Sequence, residues 1–159
     1  MKITKEYLEG WGSAWSDPQR QGLLDFYAPD ARYRDVGSDL TCDGHDQLAR
    51  FHAFMLVFAP DSEIVFFDAY GNDEGFAALW DWSGTATASL RVKDELIPVT
   101  GERFSVRGVA HCTLTPEGLL ASHADYYDMY DVIRQVRVTS TAEAGASAAP
   151  RPAVDLPEM

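Results

Sequence analysis

One stretch constrains the fold of this chain more than any other: residues 103 to 128, RFSVRGVAHCTLTPEGLLASHADYYD, where two alternating runs flank a turn at Pro116-Glu117-Gly118. Successive side chains of a strand point to opposite faces, so a period of two over this length predicts a hairpin. On the first run Phe104, Val106, Gly108, Ala110, Cys112 and Leu114 share one face, which is expected to be buried, and Ser105, Arg107, His111 and Thr113 share the other. On the second run Leu119, Ala121, His123, Asp125 and Tyr127 form a face that turns from apolar to polar. A carboxylate on a face that begins apolar needs a partner or a task.

Register decides which of these residues meet. If Leu114 pairs with Leu119 across the turn, Asp125 lies opposite Gly108, beside Val106, Ala110 and Cys112, and His111 points to the reverse side. If the turn takes three residues, or a bulge sits near Gly108, His111 joins Asp125's side near His123. Asp125 faces inward in both arrangements.

A chain of 159 residues is long enough to bury one core without staples. Its formal charge of −12 disfavours nucleic acid and anionic membranes, which require clustered Lys and Arg. Cys42 and Cys112 lack metal-type spacing and read as buried thiols in a reducing compartment. The amino-terminal MKITKEYLEG has no signal-peptide core and no run reaches membrane-spanning length, which places the protein in the cytoplasm. There is no glycine-rich phosphate loop, nucleophile elbow, zinc-type cluster or repeat, and so no metal or cofactor is expected.

Ahead of the hairpin, Ile3, Tyr7, Trp11 and Trp15 recur at helical spacing and predict an amphipathic first helix whose aromatic stripe faces the core, with Trp15 either packed there or lining a cavity. Asp17-Pro18 reads as the start of a second, short helix that packs Leu23, Leu24, Phe26 and Tyr27 and ends at Pro29. Residues 31 to 36 alternate as a strand with Tyr33 and Asp35 on one face and Arg32 and Arg34 on the other. From Gly44 to about Phe58 a long helix carries Leu48, Phe51, Met55 and Phe58 on one stripe, with Phe54 adjacent; His45 and His52 read as solvated or core-edge histidines. Strands follow from Glu63 to Tyr70 and from Phe76 to Leu90, the latter with Trp80 and Trp82 opposite Asp81 and Ser83. Lys93 to Pro98 reads as a loop, and Met129 to Val136 as a last helix. The domain is expected to span residues 1–137, and residues 138–159, rich in Ala, Ser, Thr and Pro, to form a disordered tail. This order predicts an α+β fold, three helices over the concave face of a curved, mainly antiparallel sheet whose mouth suits a small apolar ligand.

Gly44 with its helix, Phe58-Ala-Pro-Asp61, Trp80 to Thr85, the run TGERFSVRG from Thr100 to Gly108, and Glu117-Gly118 ahead of Asp125-Tyr-Tyr-Asp128 resemble, in this order, the SnoaL-like branch of the NTF2-like superfamily. The resemblance covers roughly residues 3 to 136 and implies an NTF2-like cone. That superfamily includes polyketide cyclases, ketosteroid isomerases and limonene epoxide hydrolases. By this resemblance Asp125 matches the aspartate that is acid or base in the cyclases and epoxide hydrolases. Tyr33 and Asp35 match the hydrolases' water-positioning tyrosine and asparagine, with Asp for Asn. His111 stands where the cyclases carry a histidine. The hydrolases' arginine and second aspartate are not matched, since Asp81 and Ser83 occupy the equivalent strand.

These residues predict an acid/base pocket. Asp125 among aromatic side chains would be desolvated and its pKa raised, with Asp35 strengthening the effect by like charge. Tyr33 or a histidine would donate to a developing oxyanion. The expected catalytic set is Asp125, Asp35, Tyr33, His111 and Asp81; the expected substrate-binding set is Trp15, Phe54, Trp80, Trp82, His123 and Tyr127. The chain reads as a cofactor-independent cyclase or isomerase for a polyketide-like, apolar, oxygenated small molecule, by aldol or epoxide-opening ring closure. The alternatives are a non-catalytic small-molecule-binding or accessory subunit and an epoxide hydrolase. Ser105, Val109, Thr113, Leu120 and Tyr126 on the hairpin's reverse face suit a homodimer.

Overall fold

The structure is a computed structural model and describes residues 3 to 138 together with 153 and 154. Helix α1 (Lys5–Ser16) is capped by Thr4, whose hydroxyl accepts from the Tyr7 N–H at 3.1 Å, and it buries Trp11 and Trp15. Strands β1 (Tyr27–Asp35) and β2 (Leu40–Asp43) precede helix α2 (Gly44–Phe58), which buries Leu48, Phe51, Met55 and Phe58 as its stripe predicts. Then come β3 (Glu63–Asn72), β4 (Gly75–Thr85), β5 (Ser89–Val92), β6 (Glu95–Ile97), β7 (Arg103–Leu114), β8 (Leu120–Tyr127), helix α3 (Met129–Val136) and the two-residue β9 (Ala153–Val154).

Six strands pair in the order β2-β1-β8-β7-β4-β3; every pairing is antiparallel except β1 with β8. The parallel pairing matters most for the site, because it sets Tyr33 beside His123 and Asp35 beside Asp125 in register. Helix α1 packs on β3, α2 on β1 and β2, and α3 on β7, giving the expected α+β cone. Ring packing seals the interior: Trp11 stacks on Phe66 with centroids 4.0 Å apart, and Trp82 meets Phe104 edge-on at 4.7 Å.

Several local expectations change. The short helix predicted from Pro18 to Tyr27 is a turn followed by one 3-10 turn at Leu23–Phe26. Asp17 caps it, accepting from the backbone N–H groups of Gln19 and Gln21 at 2.9 and 2.8 Å, but Arg20 and Gly22 take φ of 60° and 78°, which a right-handed helix cannot contain. Pro29 lies inside β1, in the irregular stretch between Tyr27 and Arg32 where the register with β8 shifts. The predicted loop from Lys93 to Pro98 is the far half of a tight hairpin, β5 with β6, closed by Lys93 at φ 53°.

The strand β7 alternates as predicted, with Phe104, Val106, Gly108, Ala110 and Cys112 inward. Asp125 nevertheless lies opposite Ala110 and not Gly108, and the irregularity falls between Thr113 and Leu114. That shift turns Leu120 into the core, so it leaves the reverse face to which alternation assigned it. Cys42 and Cys112 are free, buried thiols. Of the expected tail, Val138 donates its N–H to the Pro98 carbonyl, and Ala153–Val154 adds in parallel to β5; the rest lies outside the described residues. No helix among the described residues is long and apolar enough to cross a membrane.

Candidate functional site

The inward faces of β1, β8 and β4 bring the site together. Alternation sends Tyr33 and Asp35 inward from β1, His123, Asp125 and Tyr127 inward from β8, and Trp80 and Trp82 inward from β4. Trp80 pairs with Gly108 on β7, the strand between β4 and β8. With no side chain at Gly108, the Trp80 indole lies across β7 and reaches β8, where its Nε1–H donates to Asp125 Oδ1 at 2.8 Å.

Asp125 accepts from three neighbours. Besides Trp80, the Tyr33 hydroxyl donates to Oδ2 at 2.9 Å and His123 Nε2 lies 2.9 Å from Oδ1. Behind His123 a buried chain continues: Trp11 Nε1–H donates to the Tyr27 hydroxyl at 3.3 Å, and that hydroxyl is 2.8 Å from His123 Nδ1. An indole nitrogen only donates, so the Tyr27 oxygen accepts from it and the Tyr27 proton goes to Nδ1. The His123 proton then sits on Nε2 and points at Asp125. Every member of the chain is satisfied when Asp125 acts as an acceptor, the role of a carboxylate.

Asp35 has a different setting. It accepts from the Ser38 backbone N–H at 3.0 Å and from the Tyr127 hydroxyl at 3.1 Å. Burial, and then the negative charge of Asp125 beside it, push the Asp35 carboxyl up to about 6, against which the Ser38 N–H pulls down. The same burial, joined by the neighbouring carboxylates, holds the Tyr33 and Tyr127 phenols protonated well above their ordinary range. The two carboxyls face one cavity with about 40 Å³ of space open to the centre of a water-sized molecule, walled by Trp15, Phe51, Phe66, Trp80, Trp82 and others. Among the described residues no Lys or Arg lines it. Among the described residues five arginines outside it are paired instead, Arg32 with Asp43, Arg34 with Asp39, Arg103 with Asp61, Arg107 with Asp81 and Arg134 with Asp131.

Of the predicted residues, the structure gathers Asp125, Asp35, Tyr33, Trp15, Trp80, Trp82 and Tyr127 around this cavity, with His123 bonded directly behind Asp125. Three predicted residues do not join it. His111 is exposed on the outer face of β7, because the irregularity that would turn it inward lies beyond it. Asp81 faces out of β4 and is held in a two-pronged pair by Arg107 at 2.7 and 2.9 Å. Phe54 is half-buried against the core and is absent from the cavity lining. Two residues of the buried chain, Tyr27 and Trp11, were assigned only packing roles by the sequence. The irregularity between Tyr27 and Arg32 breaks the alternation that orients Tyr33 and Asp35, so the sequence pattern held no signal that set Tyr27 apart from a core phenol. His52 is buried with Nε2 2.8 Å from the Trp15 carbonyl, a core contact as expected. Among the described residues no group of three or more His, Cys, Asp or Glu has a metal-holding arrangement.

Comparison with known proteins agrees with this architecture. The family model of the SnoaL-like domain matches residues 6–123. A protein of ketosteroid isomerase-like fold from Catenulispora acidiphila, solved in complex with trimethylamine, superposes with a TM-score of 0.68 at 20% identity, covering 84% of this chain and 93% of that one. A candidate SnoaL-like polyketide cyclase from Jannaschia gives 0.64 at 19% identity, covering 83% and 86%. AclR, a candidate hydroxylase from Streptomyces galilaeus, gives 0.64 at 16%, covering 82% and 92%. At these identities the structures speak for the fold alone. No curated protein matches significantly. The family match runs from the first helix through His123 and takes in most of the chain, which makes this protein a member of the SnoaL-like domain family, built on the NTF2-like fold.

Proposed function

We propose that the cavity is an acid/base site for isomerising or cyclising an apolar, oxygenated small molecule, without an external electron donor or acceptor. The observation that carries this reading is the register pair Asp35 and Asp125, two buried carboxyls on adjacent parallel strands facing one aromatic cavity. Their environments differ, and that difference divides the labour: Asp125, surrounded by donors, is the base, and Asp35, pushed up to about 6, carries the proton as the acid.

In an aldol closure, Asp125 takes the proton from a carbon beside a carbonyl, the C–H electron pair forms the enolate, and that carbon attacks a second carbonyl of the same molecule. Asp35 gives its proton to the new alkoxide, and the product is an isomer of the substrate. In an epoxide opening, Asp35 protonates the epoxide oxygen as its C–O bond breaks, while Asp125 takes the proton of the attacking hydroxyl. Candidate polyketide cyclases among the structural neighbours support a polyketide-like substrate. Epoxide hydrolysis is the weaker variant, since no arginine lines the cavity and Asp81 points away from it. Self-association through the outer sheet face, where Val65, Phe67 and Tyr126 are exposed, belongs to the same proposal.

The test is turnover of a panel of apolar β-keto esters and hydroxy-epoxides, followed by mass spectrometry for isomeric product. Asp125→Asn is expected to lower the rate by at least about 100-fold. A wild-type rate in that variant would sink the assignment.

A further inference from the structure

The donors carried by the residues that line the cavity are nearly all committed. Tyr33 O–H and Trp80 Nε1–H go to Asp125, Tyr127 O–H goes to Asp35, and Trp82 Nε1–H goes to Ser62 Oγ at 3.0 Å. Trp15 differs. It lines the cavity and is 2% exposed, and its indole Nε1–H has no hydrogen-bond partner among the described residues. Nor can the ring turn to find one cheaply. Its backbone carbonyl accepts from His52 Nε2 at 2.8 Å, and Tyr33, His52 and Phe51 pack around the indole with centroids 5.5, 5.3 and 6.3 Å away. A buried donor left unpaired is costly, and one that persists calls for a reason, such as a catalytic role or a bound group that completes it.

We propose that Trp15 is the ligand's hydrogen-bond donor: the cavity takes an apolar molecule bearing a carbonyl or ether oxygen, which accepts from Trp15 Nε1–H while the hydrogen to be moved faces the two carboxyls. This rests on reading the cavity as a ligand site and adds the substrate's required functional group and the residue that selects it. For a ketone, the step balances within the site. The C–H bond breaks, its proton goes to Asp125, the electron pair moves into the new C=C bond, and the charge gathering on oxygen is held by the Trp15 N–H. Return of a proton to either end regenerates ketone or releases enol.

The experiment follows the four indole N–H signals of the uniformly ¹⁵N-labelled full chain during titration with cyclohexanone and, separately, methylenecyclohexane, which replaces the oxygen by a CH₂ group. Cyclohexanone should move the Trp15 indole proton downfield, with the largest shift of the four, and the hydrocarbon should not. Trp15→Phe keeps an aromatic side chain without the N–H, assigns the signal by its loss, and should weaken cyclohexanone about tenfold while leaving the hydrocarbon unchanged. Should that variant fail to fold, contacts between the indole proton and Phe51 assign the signal in the wild type. Equal shifts from both probes, or a Trp15 signal unmoved at saturating cyclohexanone, overturns the proposal. Proton exchange from solvent into ketone that disappears in Asp125→Asn would, in that event, leave the acid/base reading standing; loss of both would remove both.

Discussion

At the scale of single residues, the chemistry turns on how protons are distributed along one buried chain from Trp11 through Tyr27 and His123 to Asp125. Each link leaves the next group one available role, so His123 presents a proton to Asp125 only while Tyr27 supplies one to Nδ1. Tyr27→Phe removes that supply with little change of shape. It should leave His123 Nδ1 buried and unpaired, at a cost of about 1–3 kcal/mol in urea unfolding, and release the histidine to adopt the other tautomer, visible in its ¹⁵N shifts. Unchanged stability and an unchanged tautomer would mean the chain does not operate as drawn. Tyr27 and Trp11 were illegible as site residues because nothing local distinguishes a phenol in a core from a phenol in a relay. Asp125 and Asp35 were legible because a carboxylate on an inward face is anomalous by itself.

At the scale of elements, faces could be read from the sequence and pairings could not. Alternation is local, and it correctly grouped Tyr33 with Asp35, Trp80 with Trp82 and His123 with Asp125, while leaving open whether the Trp80 face or the Asp81 face of its strand turns inward. Register depends on how the turn closes, and here the irregularity between Thr113 and Leu114 moved Asp125 from Gly108 to Ala110 and kept His111 outside. Gly108 illustrates the gap. It suggested a bulge, but its reason is a ring from a neighbouring strand, since a Cβ there would lie 2.3 Å from Trp80 Cζ2. Gly108→Ala should therefore cost about 1–3 kcal/mol by overpacking and displace the Trp80 indole from Asp125, reported by near-ultraviolet circular dichroism. A variant as stable as wild type with an unaltered aromatic spectrum would show that Trp80 does not need the bare strand. Helices α1 and α2 and the cone itself were readable from apolar periodicity, whereas the short segment after Asp17 was misread because a cap and a proline signal a turn as well as a helix.

At the scale of the whole molecule, the arginines are spent on the exterior while two carboxyls are kept inside an aromatic cavity without a cation in its lining. That arrangement makes stability depend on pH in a definite direction. Asp35 has a folded pKa of about 6 against an ordinary 3.8, so the folded state holds its proton longer than the unfolded chain does. The protonated form's contribution is fully present below 3.8 and is lost as pH rises through about 6. Asp35→Asn, which cannot ionise, should accordingly be more stable than wild type at neutral pH by up to about 3 kcal/mol, with the advantage vanishing near pH 4. Thermal melts across that range check it, and a variant less stable at neutral pH would argue that Asp35 is held by its partners rather than strained by burial. The account's central claim is that Asp35 and Asp125 are electrostatically coupled in one water-poor site. A ¹³C carboxyl titration of the wild type and of Asp125→Asn tests it most directly: Asp35 should titrate near 6 in the wild type and at a lower pH once the neighbouring charge is removed, whereas a midpoint near 3.8 in both proteins would contradict it.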